Sequence, residues 1–406
     1  MKIVHINATD ARGGATIAMM RHSDAMNRAG YASSIVVASH TIGINRLLRS
    51  IYFRINNKRE HNLCATANFS IMNFGLPLHK NQIIKEADVV YLHWVCANSL
   101  SIDGIERILE LGKPTFWYMH DMFPFTGGCH YSLGCNEYKD KCQNCPQIAN
   151  LQKKEVASKQ LANKIKHWHK YSNLEFVAPS SWEAECAKQS SLCAGHKVHV
   201  VPNIIDTEVY KPMESTKNAF GLDPRKKTIL FSATRISSPY KGARYAHDCL
   251  CLLDPDKYEG LVIGKADMNF ISDLPIKIVQ TGFLDNDTIL ANAYNACDAF
   301  LMTSVAESFG QVVAEAMACG KPCVGFPTGG VLDLIINHKT GCLTEKYEAI
   351  ELKNAIDSMF SDQENYNNLA ENSRRWIVNN FSFKNVISIH TELKPFLVLP
   401  NESNNR

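Results

Sequence analysis

The chain has 406 residues, a hydrophobic content of 45%, a charged content of 20% and a formal net charge of +3. This composition is typical of a soluble globular protein, and the length predicts two domains that each bury a core of their own. No run of about 18 apolar residues is present, which argues against a transmembrane helix, and the N-terminus enters a strand pattern instead of a signal peptide. We therefore expect a cytoplasmic protein whose 14 cysteines are mostly reduced.

The charge is unevenly distributed along the chain. Residues 1–205 carry 23 Lys and Arg against 15 Asp and Glu, a net of +8, whereas residues 206–406 carry 20 against 25, a net of −5. A basic N-terminal half favours an anionic partner, such as a lipid diphosphate or a membrane surface. No RNA-binding signature accompanies the basic residues, so we predict no nucleic acid partner.

Strands and helices alternate through the first half. The predicted strands are 2–7, 33–38, 88–94, 114–119, 174–178 and 198–201. Gly13 and Gly14 lie between the first strand and the first helix, without the three-glycine fingerprint of a dinucleotide site. A Gly-Gly pair lets the backbone approach a ligand closely, but a plain tight turn explains it equally well.

Residues 45–85 depart from this alternation. Leu47, Leu48, Ile51 and Ile55 fall on one face of a predicted helix, among several arginines. Such a helix either lies on an anionic membrane or packs against its own domain with the arginines in solvent. We favour the second interpretation, and the two are compatible.

Two predicted strands end in histidine, at His93 and at His120. The carboxyl ends of parallel strands lie at one edge of a sheet, where ligands bind in such folds. A single histidine is more often structural, whereas two at one edge favour a functional site.

Four cysteines follow within 17 residues, at Cys129, Cys135, Cys142 and Cys145. In a reducing compartment this clustering predicts a structural zinc ion held by four thiolates, with no open position for a substrate. Only the second pair has the two-residue spacing of a zinc knuckle. Free thiols lining a loop and a redox pair at Cys142 and Cys145 are the alternatives.

The second half repeats the alternation after a linker at 202–212. Its predicted strands are 228–233, 261–263, 276–279, 299–302, 323–326 and 341–344, and its predicted helices are 243–253, 286–297, 348–359, 362–379 and 383–396. Arg235 and Lys241 flank the loop after the first of these strands. Such a pair can neutralise a diphosphate without a metal ion, although two surface cations are common in any loop.

The stretch from Thr303 to Pro322 predicts a loop and a helix between two strands. Ser308 is the predicted N-cap, and the free amides of the helix start favour an anion. Glu307 and Glu315 frame this helix start, with seven residues between them. Glu315 lies among apolar residues and needs hydroxyl or cationic partners. A phosphate at the helix start and a diol near Glu315 would describe a nucleotide sugar; one loop glutamate and one exposed glutamate is the alternative.

These two glutamates, with the flanking Ser-Phe-Gly and Ala-Cys-Gly-Lys-Pro, resemble the signature of glycosyltransferase family four. His120-Asp, the Thr-Gly-Gly-Cys-His at 126–130 and the Cys-x-x-Cys-Pro at 142–146 resemble a subgroup from O-antigen and other polysaccharide gene clusters. The resemblance implies the GT-B fold, an α/β fold of two Rossmann-like domains whose parallel sheets face across a cleft. It implies an acceptor-side domain at 1–203, a nucleotide-sugar domain at 204–380, and a returning helix with a polar tail at 381–406.

The same resemblance implies a retaining transfer of a hexosyl or deoxyhexosyl group from a nucleotide-diphosphate sugar. The acceptor would be an undecaprenyl-diphosphate-linked or other growing oligosaccharide, reached from the cytoplasmic face of the inner membrane. No metal or cofactor would take part in the transfer itself. Two other classes remain open: a nucleotide-sugar epimerase of the same fold, and a non-catalytic scaffold stabilised by zinc.

The resemblance also assigns roles to residues. Arg235 and Lys241 would hold the donor diphosphate, Glu315 the ribose, and Glu307 the donor sugar, with His120 contacting that sugar from the other domain. The full set implied for the donor is Gly13, Gly14, Arg235, Lys241, Phe283, Glu307, Ser308, Phe309, Gly310 and Glu315.

Overall fold

The computed structural model describes residues 1–40, 44–63, 65, 68–214, 216–232, 240–264 and 271–393. The chain divides into two compact units, of which Met1–Asn203 with the chain from Val386 onward is the first and Ile204–Asn385 the second. Each helix in the described ranges is too short or too polar to span a membrane.

The first unit is built around a six-stranded parallel sheet in the order β2-β1-β3-β4-β5-β6. Its strands are β1 (Lys2–Asn7), β2 (Ala32–Val37), β3 (Val89–Leu92), β4 (Thr115–Tyr118), β5 (Leu174–Ala178) and β6 (Val198–Val200). Its helices are α1 (Gly14–Arg28), α2 (Ile44–His61), α3 (Gln82–Glu86), α4 (Ile102–Leu109), α5 (Glu155–Trp168) and α6 (Ser181–Lys188). All residues of β3, β4 and β5 are buried, as expected for strands covered on both faces.

The second unit has its own six-stranded parallel sheet, in the order β12-β11-β10-β7-β8-β9. Its strands are β7 (Lys227–Ser232), β8 (Tyr258–Ile263), β9 (Ile278–Gly282), β10 (Ala299–Met302), β11 (Cys323–Gly325) and β12 (Gly341–Leu343). Its helices are α7 (Ala243–Cys251), α8 (Asp287–Asn295), α9 (Gln311–Ala318), α10 (Val331–Leu334), α11 (Ala349–Ser361) and α12 (Gln363–Phe381). The helix α13 (Phe383–Leu393) starts in the second unit and ends in the first.

Short 3-10 turns complete the described elements; they are Ala38–His40, Leu78–Lys80, Phe123–Phe125, Glu137–Lys139, Leu151–Lys153 and Lys217–Phe220. The predicted α/β fold with two Rossmann-like halves is confirmed. Strand order reverses once in each sheet, between β1 and β3 in the first unit and between β7 and β10 in the second. Ligands of open α/β sheets bind at such switch points, outside the carboxyl ends of the strands.

One prediction about α2 is wrong for three of its four residues. Leu47, Ile51 and Ile55, which we expected to pack against the domain together with Leu48, are 61%, 43% and 39% exposed, whereas Leu48 is half-buried. The helix is anchored instead by the row that begins one residue later. Tyr52 stacks on a phenylalanine ring, and Asn56 is buried and donates to a backbone carbonyl at 3.3 Å. A buried amide with a hydrogen-bond partner replaces an apolar contact there, and apolar periodicity does not detect it.

Candidate active site

Three loops meet at the switch point of the second unit, following β7, β10 and β11. The loop after β7 is pinned to the loop after β10, because Val305 N donates to Tyr240 O at 2.8 Å and Thr303 Oγ1 donates to Lys241 O at 3.1 Å. Gly242 has a φ of +65°, and a Cβ there would lie 1.9 Å from Thr303 O. Only glycine allows this approach, which fixes the position of the preceding lysine.

Lys241 and Glu307 are brought together by this packing. The Lys241 Nζ and Glu307 Oε2 atoms are 2.7 Å apart, with side chains 27% and 12% exposed. Burial alone would lower the pKa of Lys241, but the charge of Glu307 and its hydrogen bond raise it above the ordinary value. The lysine is therefore a fixed positive charge at the carboxyl end of β7.

The start of α9 differs from the prediction. Its N-cap is Gly310, with a φ of +97° and no side-chain cap, so the assignment of that role to Ser308 is wrong. Ser308 is buried two residues earlier, where an added Cβ at Gly330 would lie 2.2 Å from its carbonyl oxygen. Close packing of the loop after β11 removes Ser308 from the helix end, and the N-cap residue Gly310 has no side chain that could cap the helix.

Glu315 lies in the middle of α9 and is 2% exposed. Tyr294 donates its hydroxyl to Glu315 Oε2, and Gln311 donates its amide to Glu315 Oε1, both at 3.1 Å. The prediction that this carboxylate needs hydroxyl partners is thus met by a tyrosine of α8, which sequence reasoning missed.

The remaining residues assigned to the donor lie in different environments. Phe309 is buried and packs edge-on against Phe381, with ring centroids 5.8 Å apart, so its side chain is part of the core. Phe283 follows β9 and is 55% exposed. Arg235 lies outside the described residues.

In the first unit, the two predicted histidines are in contact. His93 Nδ1 and His120 Nε2 are 2.9 Å apart, and their rings are stacked. Burial lowers the pKa of His120 to about 4, so its imidazole is neutral at physiological pH. His5 of β1, which sequence reasoning did not single out, places its Nδ1 atom 2.9 Å from His93 Nε2. The sequence signal that could have identified His5 is its position as a titratable residue within the apolar strand β1.

Gly13 is the N-cap of α1 and Gly14 is its first residue. Both follow β1, one of the two strands at the switch point of the first unit. A Cβ at Gly14 would meet nothing within 4 Å, and one at Gly13 would meet only a carbonyl oxygen at 4.0 Å. Packing within the fold therefore does not require either glycine.

The loop that follows His120 is held rigidly by charged groups. Asp121 Oδ2 lies 2.6 Å from His130 Nδ1, and the fully buried Lys164 of α5 donates to the carbonyl oxygens of Phe123 at 2.6 Å and Thr126 at 3.0 Å. Burial lowers the pKa of Lys164 to about 8. Lysines are usually solvated by water, and Lys164 is an exception because three carbonyl groups solvate its ammonium.

The four cysteines Cys129, Cys135, Cys142 and Cys145 line one small cavity of about 10 Å³ in the first unit. This donor set suits zinc, which binds thiolates at about 2.3 Å. Among the described residues, two groups of side chains have ligand atoms that all lie within 4.8 Å of one another, and the four cysteines are not one of these groups. Their sulphur atoms would therefore have to move closer together to bind an ion. Burial raises the pKa of Cys129 to about 12 and that of Cys142 to about 11.

Comparison with known proteins agrees with this fold. Residues 214–376 match the family described as glycosyl transferases group 1. The matched residues all lie within the second unit. The chain is similar over 86% of its length, at 23% identity, to the putative colanic acid biosynthesis glycosyl transferase WcaC of Escherichia coli K12, 88% of which is covered.

A shorter alignment, at 28% identity, covers 47% of the chain and 51% of the N-acetyl-alpha-D-glucosaminyl L-malate synthase of Bacillus anthracis. The chain thus spans about half the length of this and several other curated relatives. Among solved structures, Anabaena Alr3699/HepE in complex with UDP and glucose has a TM-score of 0.64 at 20% identity, with 98% of this chain and 99% of that chain covered. The sucrose-phosphate synthase of Thermosynechococcus elongatus has a TM-score of 0.68 at 15% identity, with 98% of both chains covered.

Proposed function

We propose that the protein is a retaining glycosyltransferase that moves a sugar from a nucleotide-diphosphate sugar to a growing cell-surface oligosaccharide. The observation that carries this proposal is the Lys241–Glu307 ion pair at the switch point of a glycosyl transferases group 1 domain. The relatives and structural neighbours include transferases named for sugar transfer and one in complex with UDP-glucose.

In this proposal, Lys241 and Arg235 neutralise the diphosphate as the bond to the sugar breaks. A positive charge that is already in place stabilises the leaving group without reorganisation, which is usually the largest electrostatic contribution to catalysis. Glu307 contacts the donor sugar, beside the start of α9 at its N-cap Gly310. Glu315 accepts hydrogen bonds from the ribose, and Phe283 lies by the base.

His120 contributes a neutral imidazole that hydrogen-bonds to the donor sugar. Gly13 and Gly14 leave room for a ligand next to the backbone, since neither is needed for packing. No side chain in this set is assigned as a covalent nucleophile. The acceptor hydroxyl attacks the sugar from the face that the diphosphate leaves, and the donor phosphate accepts its proton, so the anomeric configuration is kept.

The acceptor, we propose, is anionic and lipid-linked, and the protein contacts the inner-membrane surface. Two features of the first unit support this. The exposed apolar row Leu47, Ile51 and Ile55 of α2 continues, four residues further, into Arg59. Arg59 lines a groove of about 770 Å³ together with three lysines and four side-chain amides; these are Lys153, Lys159, Lys166, Asn62, Asn73, Gln160 and Asn163. One of these lysines, Lys159, forms an ion pair with Glu155 at 2.7 Å. An apolar row beside a basic groove matches an amphiphilic anion.

We also propose that Cys129, Cys135, Cys142 and Cys145 hold a structural zinc ion. The metal would cross-link the long connection between β4 and α5 and supply no chemistry to the transfer.

The test is a screen of nucleotide sugars for thermal stabilisation of the protein, followed by a transfer assay with the best donor and lipid-linked oligosaccharides. We expect one donor to raise the melting temperature and to be consumed only when an acceptor is present. NMR of the product should show the anomeric configuration of the donor. Turnover of the donor without an acceptor would support an epimerase instead, and stabilisation by no donor would overturn the proposal.

A further inference from the structure

Three histidines of the first unit form a continuous chain of ring contacts. His5 Nδ1 lies 2.9 Å from His93 Nε2, and His93 Nδ1 lies 2.9 Å from His120 Nε2. They come from β1 and from the ends of the neighbouring strands β3 and β4, so the parallel register of the sheet brings them side by side. His5 and His93 are buried at 0% and 2% exposure, and His120 is half-buried at the outer end.

Both nitrogens of His93 are engaged, and this constrains the protons of the chain. A neutral imidazole carries one N–H and one acceptor nitrogen. His93 therefore donates to one neighbour and accepts from the other, which gives the chain a direction. In one direction His120 Nε2 donates inward and its Nδ1 is an acceptor; in the other, His120 Nε2 accepts and its Nδ1 is a donor.

The neutral form of His120 follows from its surroundings. A histidine is usually oriented by a carboxylate or a carbonyl group, which favours the charged form. Here the partner of His120 is another imidazole, and burial lowers the pKa of His120 to about 4, against a weaker opposing effect of Asp121. The rings of His93 and His120 also stack on Tyr118, at 5.5 Å and 5.4 Å between centroids, which fixes their planes.

We infer that His93 and His5 are positioning residues that hold His120 in one tautomer and one ring plane. This inference deepens the proposed function of His120 and rests on it. A neutral imidazole of fixed tautomer presents either a donor or an acceptor to the donor sugar, without repelling the positive charge that develops on the sugar as its bond breaks.

The same rings allow a competing interpretation. Ligand atoms of His5, His22 and His93 lie within 4.8 Å of one another, a spacing that a transition metal could bridge. The chain of hydrogen bonds is favoured because both nitrogens of His93 face other imidazoles at 2.9 Å, and a metal would displace at least one of these contacts.

The test uses the full chain with 15N-labelled histidine, and the signals of His120 are assigned by their loss in His120→Asn. We expect well-separated Nδ1 and Nε2 shifts for His120, as a single tautomer gives. His93→Phe keeps a stacked ring but removes both contacts, so the two shifts should move towards each other as the tautomers mix. His93→Asn restores a polar group near the position of Nδ1 and should restore one tautomer. His196→Phe, which replaces a half-buried histidine packed edge-on against Phe176 of β5, is the control and should leave the shifts in place.

Turnover is the second readout. His93→Phe should lower kcat at least tenfold with an unchanged affinity for the nucleoside diphosphate, and His93→Asn should recover most of it. Identical His120 shifts in the wild type and in His93→Phe would overturn the inference, as would stoichiometric metal bound through His93. The shifts are measured without a substrate, so a failure of the proposed transferase activity would show only in the kinetic readout.

Discussion

Lys241 and Glu307 are separated by 66 residues in the chain and by 2.7 Å in the structure. They follow β7 and β10, the two adjacent strands between which the order of the second sheet reverses. The contact depends on Gly242, whose αL backbone lets the loop after β7 lie against Thr303. The position of the Lys241 charge thus depends on the backbone conformation of Gly242. Variants of Gly242 and of Lys241 test the conformation and the charge separately.

Gly242→Ala should displace Lys241 and weaken donor binding. The added methyl would lie 1.9 Å from Thr303 O, and the residue would also bear αL strain of about 1–2 kcal/mol. Gly221→Ala is the matched control, because Gly221 has a similar φ of +67° but open space within 4 Å. We expect both variants to lose stability in thermal unfolding, and only Gly242→Ala to lose nucleotide affinity in calorimetry. Equal donor affinity in the two variants would separate Gly242 from the site.

Lys241→Ala should weaken the binding of a nucleoside diphosphate about ten- to a hundredfold. A hydrogen bond to a charged group contributes about 1.5–3 kcal/mol, and Lys241 is held in place before the ligand arrives. Arg235→Ala should act in the same direction. Arg244→Ala, a cation that is 90% exposed at the start of α7, is the control and should bind normally. Unaltered affinity and transfer in both the Lys241 and the Arg235 variant would exclude these residues from the donor site.

The fold and part of this site are accessible from sequence because buried parallel strands are nearly continuous apolar runs. The predicted strands Lys2–Asn7, Leu174–Ala178 and Ala299–Met302 agree with the structure residue for residue. The rule that parallel strands end at one edge of a sheet also brought His93 and His120 together correctly.

The errors arise where a local pattern competes with contacts from distant parts of the chain. Ser308 has the chemistry of an N-cap, but the loop after β11 packs on it and the cap is Gly310. In α2, Asn56 is buried while the apolar residues Leu47, Ile51 and Ile55 are exposed. Lys164 looks like any other lysine of a basic helix, and only the tertiary structure shows the three carbonyl groups around it.

The purified protein should contain about one zinc ion per chain, bound by the four clustered cysteines. Removing it with a chelator should lower the melting temperature while the affinity for the donor changes little, because the proposed metal is structural. Cys142→Ser should lose the metal, whereas Cys251→Ser, a partly exposed thiol of the second unit, should retain it. Elemental analysis of anaerobically prepared protein measures this directly, and an absence of zinc there would refute the proposal.

The basic N-terminal half should bind anionic vesicles in a salt-sensitive manner. Each cation near such a surface contributes about 1 kcal/mol. Replacing Arg46, Arg49 and Arg54 with Gln should therefore weaken co-sedimentation with phosphatidylglycerol vesicles. The control replaces three exposed lysines of the acidic half with Gln; these are Lys257, Lys339 and Lys346.

A second pair of variants tests whether the exposed apolar row enters the bilayer. Leu47→Ser and Ile51→Ser should weaken vesicle binding even at high salt, since apolar burial is not screened by ions. Vesicle binding equal to that of the wild type in the arginine variant and in both apolar variants would leave α2 without a role at the membrane.

Glu307 and His120 should act mainly in the transition state, whereas Glu315 should act in binding. Interactions that form only in the transition state lower kcat more than ground-state affinity when they are removed. Glu307→Gln and His120→Ala should therefore bind the nucleoside diphosphate almost normally and transfer sugar poorly. Glu315→Ala should lose nucleotide affinity, because its proposed ligand is the ribose. Tyr294→Phe removes one hydrogen bond to Glu315 but keeps the carboxylate, so it should bind with a smaller loss. Calorimetry and single-turnover kinetics on the four variants separate the two effects, and a shared loss of affinity in all of them would contradict the assignment.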